Sequence, residues 1–195
     1  MEIDIYECKI SSAFNFGNVN DAIYNFDLCC GENNLDNTIK LYDFSLNVLN
    51  SLKPKADSDG ISNFGFLLNC IINHLINANL SLDFNDKDLA ILYNNLSMGI
   101  IDRIYYLNTE LLRLYDNTFK RNFLAYLFPL PSAIIESKTF NNQKRKIVSP
   151  FYRLIDFEYN RLIMFNINDN NIQKNIQGLL KIINSKDYKK FRGEY

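Results

Sequence analysis

From Gly60 to Leu82 the chain carries no Asp, Glu, Lys or Arg, although 22% of its residues are charged. A helix that faces water normally places charges on its outer side, so a stretch this neutral is expected to lie inside the fold, against a partner, or along a pocket. On a helical wheel Ile61, Phe64, Leu67, Leu68, Ile71, Ile72 and Leu75 share one broad face, and Asn69, Cys70, Asn73 and Asn77 fall largely opposite. The amides of Asn69 and Asn73 argue against a membrane span, where polar groups at mid-depth are costly. The pattern predicts a central helix over Ile61 to Leu80. Its amide face suits an interface, because neutral amides satisfy hydrogen bonds in partly dry surroundings without the cost of a buried charge. Asn69, Asn73 and Asn77 are therefore candidate partner-binding residues.

The rest of the chain is arranged around that segment. A length of 195 residues with 47% apolar side chains suits a single globular domain with one sizeable core. The expected class is mainly α, a helical bundle around the uncharged helix. Asn20 or Asp21 caps a helix through Cys30, and Leu35, Ile39, Tyr42, Leu46 and Leu49 recur at helical spacing until Lys53-Pro54. Asp86 and Asp88 open another helix, Gly99 bends or divides it, and a long pattern runs from Ile100 to Phe128 before Pro129 and Pro131. Ser132 to Phe140 reads as a short helix, Asn141 to Lys146 as an exposed basic loop, and Asn168 or Asp169 caps a last helix through Ile183. Two exceptions to the helical reading are expected. Residues 2–10 favour β-branched types and read as a short N-terminal strand, and the alternation of Ile155, Phe157, Tyr159, Ile163, Phe165 and Ile167 reads as a β-hairpin near 153–167.

Charge divides the chain. Residues 1–100 hold 13 acids and 5 lysines, a net of −8, whereas residues 101–195 hold 16 bases and 9 acids, a net of +7. This asymmetry fits an acidic surface that meets a basic partner, or a basic surface that meets an anion. Four scattered cysteines, two of them adjacent, give no disulfide framework, and the N-terminus lacks the basic and apolar regions of a secretory signal. The expected compartment is the cytoplasm, with no membrane span. The 29 asparagines and 23 isoleucines against 7 alanines reflect AT-rich codons, as in many bacteria, phages and large DNA viruses.

The chemistry-bearing residues are few. His74 is the one histidine, and Cys70 lies one turn before it, so an enzyme using a thiol and an imidazole would need this pair. Cys29 and Cys30 add ligand types for zinc, but the C-x-x-C spacing is missing and no metal is expected. The glycines are dispersed, so no phosphate-cradling loop and no nucleotide cofactor is expected. The Asp83, Asp86 and Asp88 spacing lacks a calcium loop's pattern and suits capping instead. Helical ribonucleases of the HEPN type place an arginine shortly before the histidine, whereas the first arginine here is Arg103. Lys144, Arg145 and Lys146, with Phe140, Phe151 and Tyr152 nearby in sequence, form the candidate anion-binding group for phosphates and unpaired bases.

The segment Asp59-Gly60-Ile61-Ser62-Asn63-Phe64-Gly65 is similar to the Asn-Trp-Gly region before the central helix of Bcl-type apoptosis regulators. The similarity covers seven residues, with Phe64 in place of tryptophan, Phe66 in place of arginine and Ser62 inserted. These departures leave the functional reading to the residues themselves. That reading is a non-enzymatic interaction module of the immunity or antagonist kind, occluding a basic protein partner. The alternative is nucleic-acid binding through the basic half, and the third is an enzyme built on Cys70 and His74.

Overall fold

A computed structural model describes residues 2–55, 57–79, 86–115, 138–164, 169–184 and 189, without the side chains of 37, 58, 79, 108–109, 112–115 and 138–150. The described residues form seven α-helices and one 3-10 turn: α1 (Ile3–Asn15), α2 (Val19–Glu32), the turn (Leu35–Asn37), α3 (Lys40–Ser51), α4 (Ser58–Asn79), α5 (Lys87–Tyr115), α6 (Lys138–Met164) and α7 (Asn170–Ile183). No described helix is long and apolar enough to cross a membrane.

The helices begin where side chains can replace the missing turn of backbone acceptors. Asn18 accepts from the Asp21 amide at α2. Asp86 accepts from the amides of Asp88 and Leu89 at α5, and Asp169 from those of Asn171 and Ile172 at α7. Asp57 does the same for the Gly60 amide at the start of α4.

The helix α4 packs against α2, α3, α6 and the 3-10 turn, which makes the uncharged segment the hub of the bundle. Its Ile61, Phe64, Leu67, Leu68, Ile71, Ile72, Leu75 and Ala78 are all buried, and they join Tyr6 and Ile10 of α1, Phe26 of α2, Phe44 and Val48 of α3, Ile100 and Ile104 of α5, and Leu154 and Ile155 of α6 in one cluster. The helix α7 contributes Ile172 and Leu179 to the same cluster. Burial of a large aliphatic or aromatic side chain stabilises by about 1.5–3 kcal/mol, so α4 supplies a large share of the packing free energy.

Four sequence expectations are corrected. Residues 3–10 belong to α1, whose buried Tyr6, Ile10 and Phe14 lie four residues apart, and the isoleucine alternation misled because Ile5 points outward at 43% exposure. The described part of the expected hairpin near 153–167 lies in α6, where Phe151, Tyr152, Leu154, Ile155, Glu158 and Leu162 are buried at helical spacing. Residues 165–167 of that expectation fall outside the described residues. Lys144, Arg145 and Lys146 have helical backbone within α6 rather than forming a loop. Gly99 leaves α5 undivided, and an added Cβ there would lie 3.1 Å from Leu46 Cδ2. The Ile100 to Phe128 pattern is helical as far as Tyr115, beyond which it lies outside the described residues.

Candidate functional site

The outer face of α4 gathers the chain's histidine, one thiol and two carboxylates. Cys70 and His74 stand one turn apart on α4, Asp27 reaches them from α2, and Asp36 reaches His74 from the 3-10 turn. The connection between α2 and that turn positions Asp36. Asn33 donates its side-chain amide to the Cys29 carbonyl at 3.0 Å and closes α2, and Asn34 then takes the left-handed conformation (φ 51°) that reverses the chain. Asparagine tolerates this region better than most residues. Leu35, 1% exposed, anchors the turn in the core, and the Thr38 hydroxyl donates to the Leu35 carbonyl at 3.2 Å.

The resulting geometry is a histidine held at both ends. His74 Nδ1 lies 2.7 Å from Asp36 Oδ1, and Nε2 lies 2.8 Å from Asp27 Oδ1. The same Asp27 oxygen accepts the Cys70 thiol at 3.2 Å. Phe26 walls the ring on the core side, 5.5 Å between ring centroids, and Cys30 lies within reach of Asp36 and His74. Partial burial disfavours the charged imidazole, but the hydrogen bonds and negative charges of Asp27 and Asp36 outweigh it and raise the His74 pKa above its ordinary 6.5. Burial and the Asp27 carboxylate both push the Cys70 thiol well up, the opposite of the depressed pKa that an activated nucleophile needs. Cys30 is pushed up as well, chiefly by burial.

A second feature lies one to two turns earlier on α4. Phe16, at the corner between α1 and α2, and Phe66 line a cleft of about 600 Å³ together with Lys55, Asp57 and Asp59. Gly17 makes that corner with φ 91°, a conformation that disfavours side chains with a Cβ, and its carbonyl accepts the Asn63 amide at 3.5 Å. Along α4, Phe66, Cys70, Asn73 and Asn77 continue one stripe from the cleft past the histidine.

The residues singled out from sequence separate into three groups. Asn73 and Asn77 are exposed and Asn69 is half-buried, all on the outer side of α4. Cys70 and His74 are brought together, but through Asp27 and Asp36, which sequence reasoning left out. Neither aspartate has a spacing relation to His74 that a linear motif would show, being 47 and 38 residues away. Lys144, Arg145 and Lys146 share helical backbone, and their side chains lie outside the description. No protein-family model matches the chain, and no match is found among curated proteins or solved structures.

Proposed function

We propose that the chain is a non-enzymatic interaction module that occludes a basic protein partner, in the manner of an immunity or antagonist protein. The observation that carries this reading is the state of its acids. Asp4, Asp21, Asp27, Glu32, Asp43, Asp57 and Asp59 are all exposed, and among the described residues the ion pairs made by acids of the first hundred residues are those of Asp27 and Asp36 with His74. An acidic surface left open to solvent favours encounter with a basic partner and suppresses encounter with acidic ones.

The contact surface proposed runs from the Phe16 and Phe66 cleft along Asn69, Asn73 and Asn77, with Asp27, Asp57 and Asp59 at its margins. Phe16 is 84% exposed, Tyr24 63% and Phe66 43%, and exposed aromatics of this kind are the usual anchors of protein interfaces. The amides of α4 supply hydrogen bonds that lose little when water is excluded, and the rim acids supply orientation and association rate.

The test is co-purification of the partner from the source cells, then reconstitution of the complex from purified proteins. Changing Asp27, Asp57 and Asp59 together to Asn is expected to slow association and to flatten its dependence on salt. Phe16→Ala with Phe66→Ala is expected to raise Kd at least tenfold. A reconstituted complex indifferent to both sets of changes overturns the reading.

A further inference from the structure

We propose that Asp27, Cys70 and His74 form an open binding site for a divalent transition-metal ion of the zinc type, with Asp36 as the residue that orients the histidine. The inference goes beyond the interaction reading and does not depend on it. One carboxylate oxygen, one thiol sulfur and one imidazole nitrogen, contributed by two packed helices, all lie within 4.8 Å of one another. Imidazole, thiolate and carboxylate together are a borderline-soft donor set that selects zinc and cobalt over magnesium or calcium.

The hydrogen bonds describe the metal-free form of such a site. Asp27 Oδ1 receives both the Cys70 thiol at 3.2 Å and His74 Nε2 at 2.8 Å. A divalent cation can take the place of the protons that this oxygen now gathers, with the thiol proton and any Nε2 proton passing to solvent. Donor atoms around a tetrahedral zinc lie about 3.3–3.6 Å apart, given zinc–ligand distances of about 2.0–2.3 Å. The Asp27 oxygen, now 2.8 Å from Nε2 and 3.2 Å from the Cys70 sulfur, therefore needs to draw back from each by only about half an ångström or less, and the Asp27 side chain is 54% exposed and can turn.

Asp36 completes the arrangement from the other side of the ring. With its Oδ1 2.7 Å from Nδ1, it keeps the proton on that nitrogen and leaves the Nε2 lone pair for the ion, as carboxylates beside metal-bound histidines do. The opposite grouping of Cys30, Asp36 and Nδ1 also lies within 4.8 Å, but Cys30 is 1% exposed and offers a hydrated ion no approach. Three protein ligands leave a fourth position for water or for a side chain from outside.

The experiment titrates Zn²⁺ and Co²⁺ into the full, untagged, metal-free chain. One ion per chain is expected, with Co²⁺ giving a thiolate-to-metal charge-transfer band in the near ultraviolet. Cys70→Ser removes that band, Asp27→Asn and His74→Gln each weaken Zn²⁺ binding at least tenfold, and Asp36→Asn weakens it about 10–100-fold. Cys30→Ser leaves band and affinity unchanged. Circular dichroism establishes that each variant is folded, and the wild-type spectrum decides the matter if one is not. Failure of the wild type to bind at micromolar metal, or Co²⁺ binding without a thiolate band, overturns the proposal, as does a band that survives Cys70→Ser.

Discussion

Tyr93 on α5 donates a 2.9 Å hydrogen bond to the Glu158 carboxylate on α6, and both side chains are fully buried. Tyr42 on α3 extends the chain, with its hydroxyl 3.5 Å from that of Tyr93, so one polar thread joins three helices inside an apolar core. Burial pushes the Glu158 carboxyl up to about 7, against the pull of Tyr93's hydrogen bond, the neighbouring Ser97 hydroxyl and the charge of Arg161.

The folded state therefore keeps the Glu158 proton to about pH 7, whereas the unfolded chain releases it near the ordinary 4.5. Folded protein holds more protons across that window, so stability falls as pH rises from 4.5 to 7 and levels off above. The interval corresponds to about 3 kcal/mol. Glu158→Gln removes the titration, and urea unfolding of wild type and variant at pH 5 and pH 8 checks it. The wild type is expected to lose more stability than the variant between the two pH values. Equal losses would show that Glu158 ionises as freely in the fold as in the unfolded chain.

Glu158 also explains why α6 was misread. The buried stripe Phe151, Ile155, Glu158 and Leu162 has helical spacing, but a glutamate inside it breaks the apolar pattern. The half-buried Phe157 and Tyr159 then suggest the alternation of a strand. Residues 3–10 misled in a related way, since β-branched isoleucines signal a strand while the packing of Tyr6, Ile10 and Phe14 makes a helix. By contrast the buried face of α4 was legible from Ile61 onward, because it is free of exceptions, although the helix starts earlier, at Ser58, and the Asp86 and Asp169 caps were legible too. The His74 cluster was half legible. Cys70 and His74 share a helix turn, whereas Asp27 and Asp36 arrive by the packing of α2 and the 3-10 turn on α4, which local patterning does not encode.

His74, as the chain's one histidine, gives a single set of imidazole resonances in a proton NMR titration. In metal-free protein its pKa is expected above the ordinary 6.5, since Asp27 and Asp36 flank the ring and Cys70 and Cys30 are neutral thiols near neutral pH. Asp27→Asn or Asp36→Asn lowers it. The raised value contributes stability that is complete below the unfolded pKa and fades as pH rises through the folded one. A titration at or below 6.5 would mean that burial outweighs the two carboxylates.

Two glycines should respond oppositely to alanine. A Cβ on Gly60 would meet the Lys55 carbonyl oxygen at 2.0 Å, so the chain entering α4 has to move. Gly60→Ala is expected to cost about 1–3 kcal/mol, as overpacking against fixed atoms does. A Cβ on Gly178, inside α7, meets nothing within 4 Å, and Gly178→Ala is expected to stabilise by about 0.5–1 kcal/mol. Thermal melts of both variants beside the wild type decide the signs.

The two faces of α4 give the sharpest contrast. Ile71 is fully buried at the hub, and Ile71→Ala removes packed methylenes at an expected cost of about 2–5 kcal/mol. Asn73 is exposed one half-turn away, and Asn73→Ala is expected to change stability by no more than about 0.5 kcal/mol. Urea unfolding measures both. An amide stripe kept for contact rather than for folding predicts that Asn73→Ala together with Asn77→Ala leaves the unfolding midpoint in place while weakening the reconstituted partner complex. A large loss of stability in that double variant would instead assign the asparagines to the fold itself.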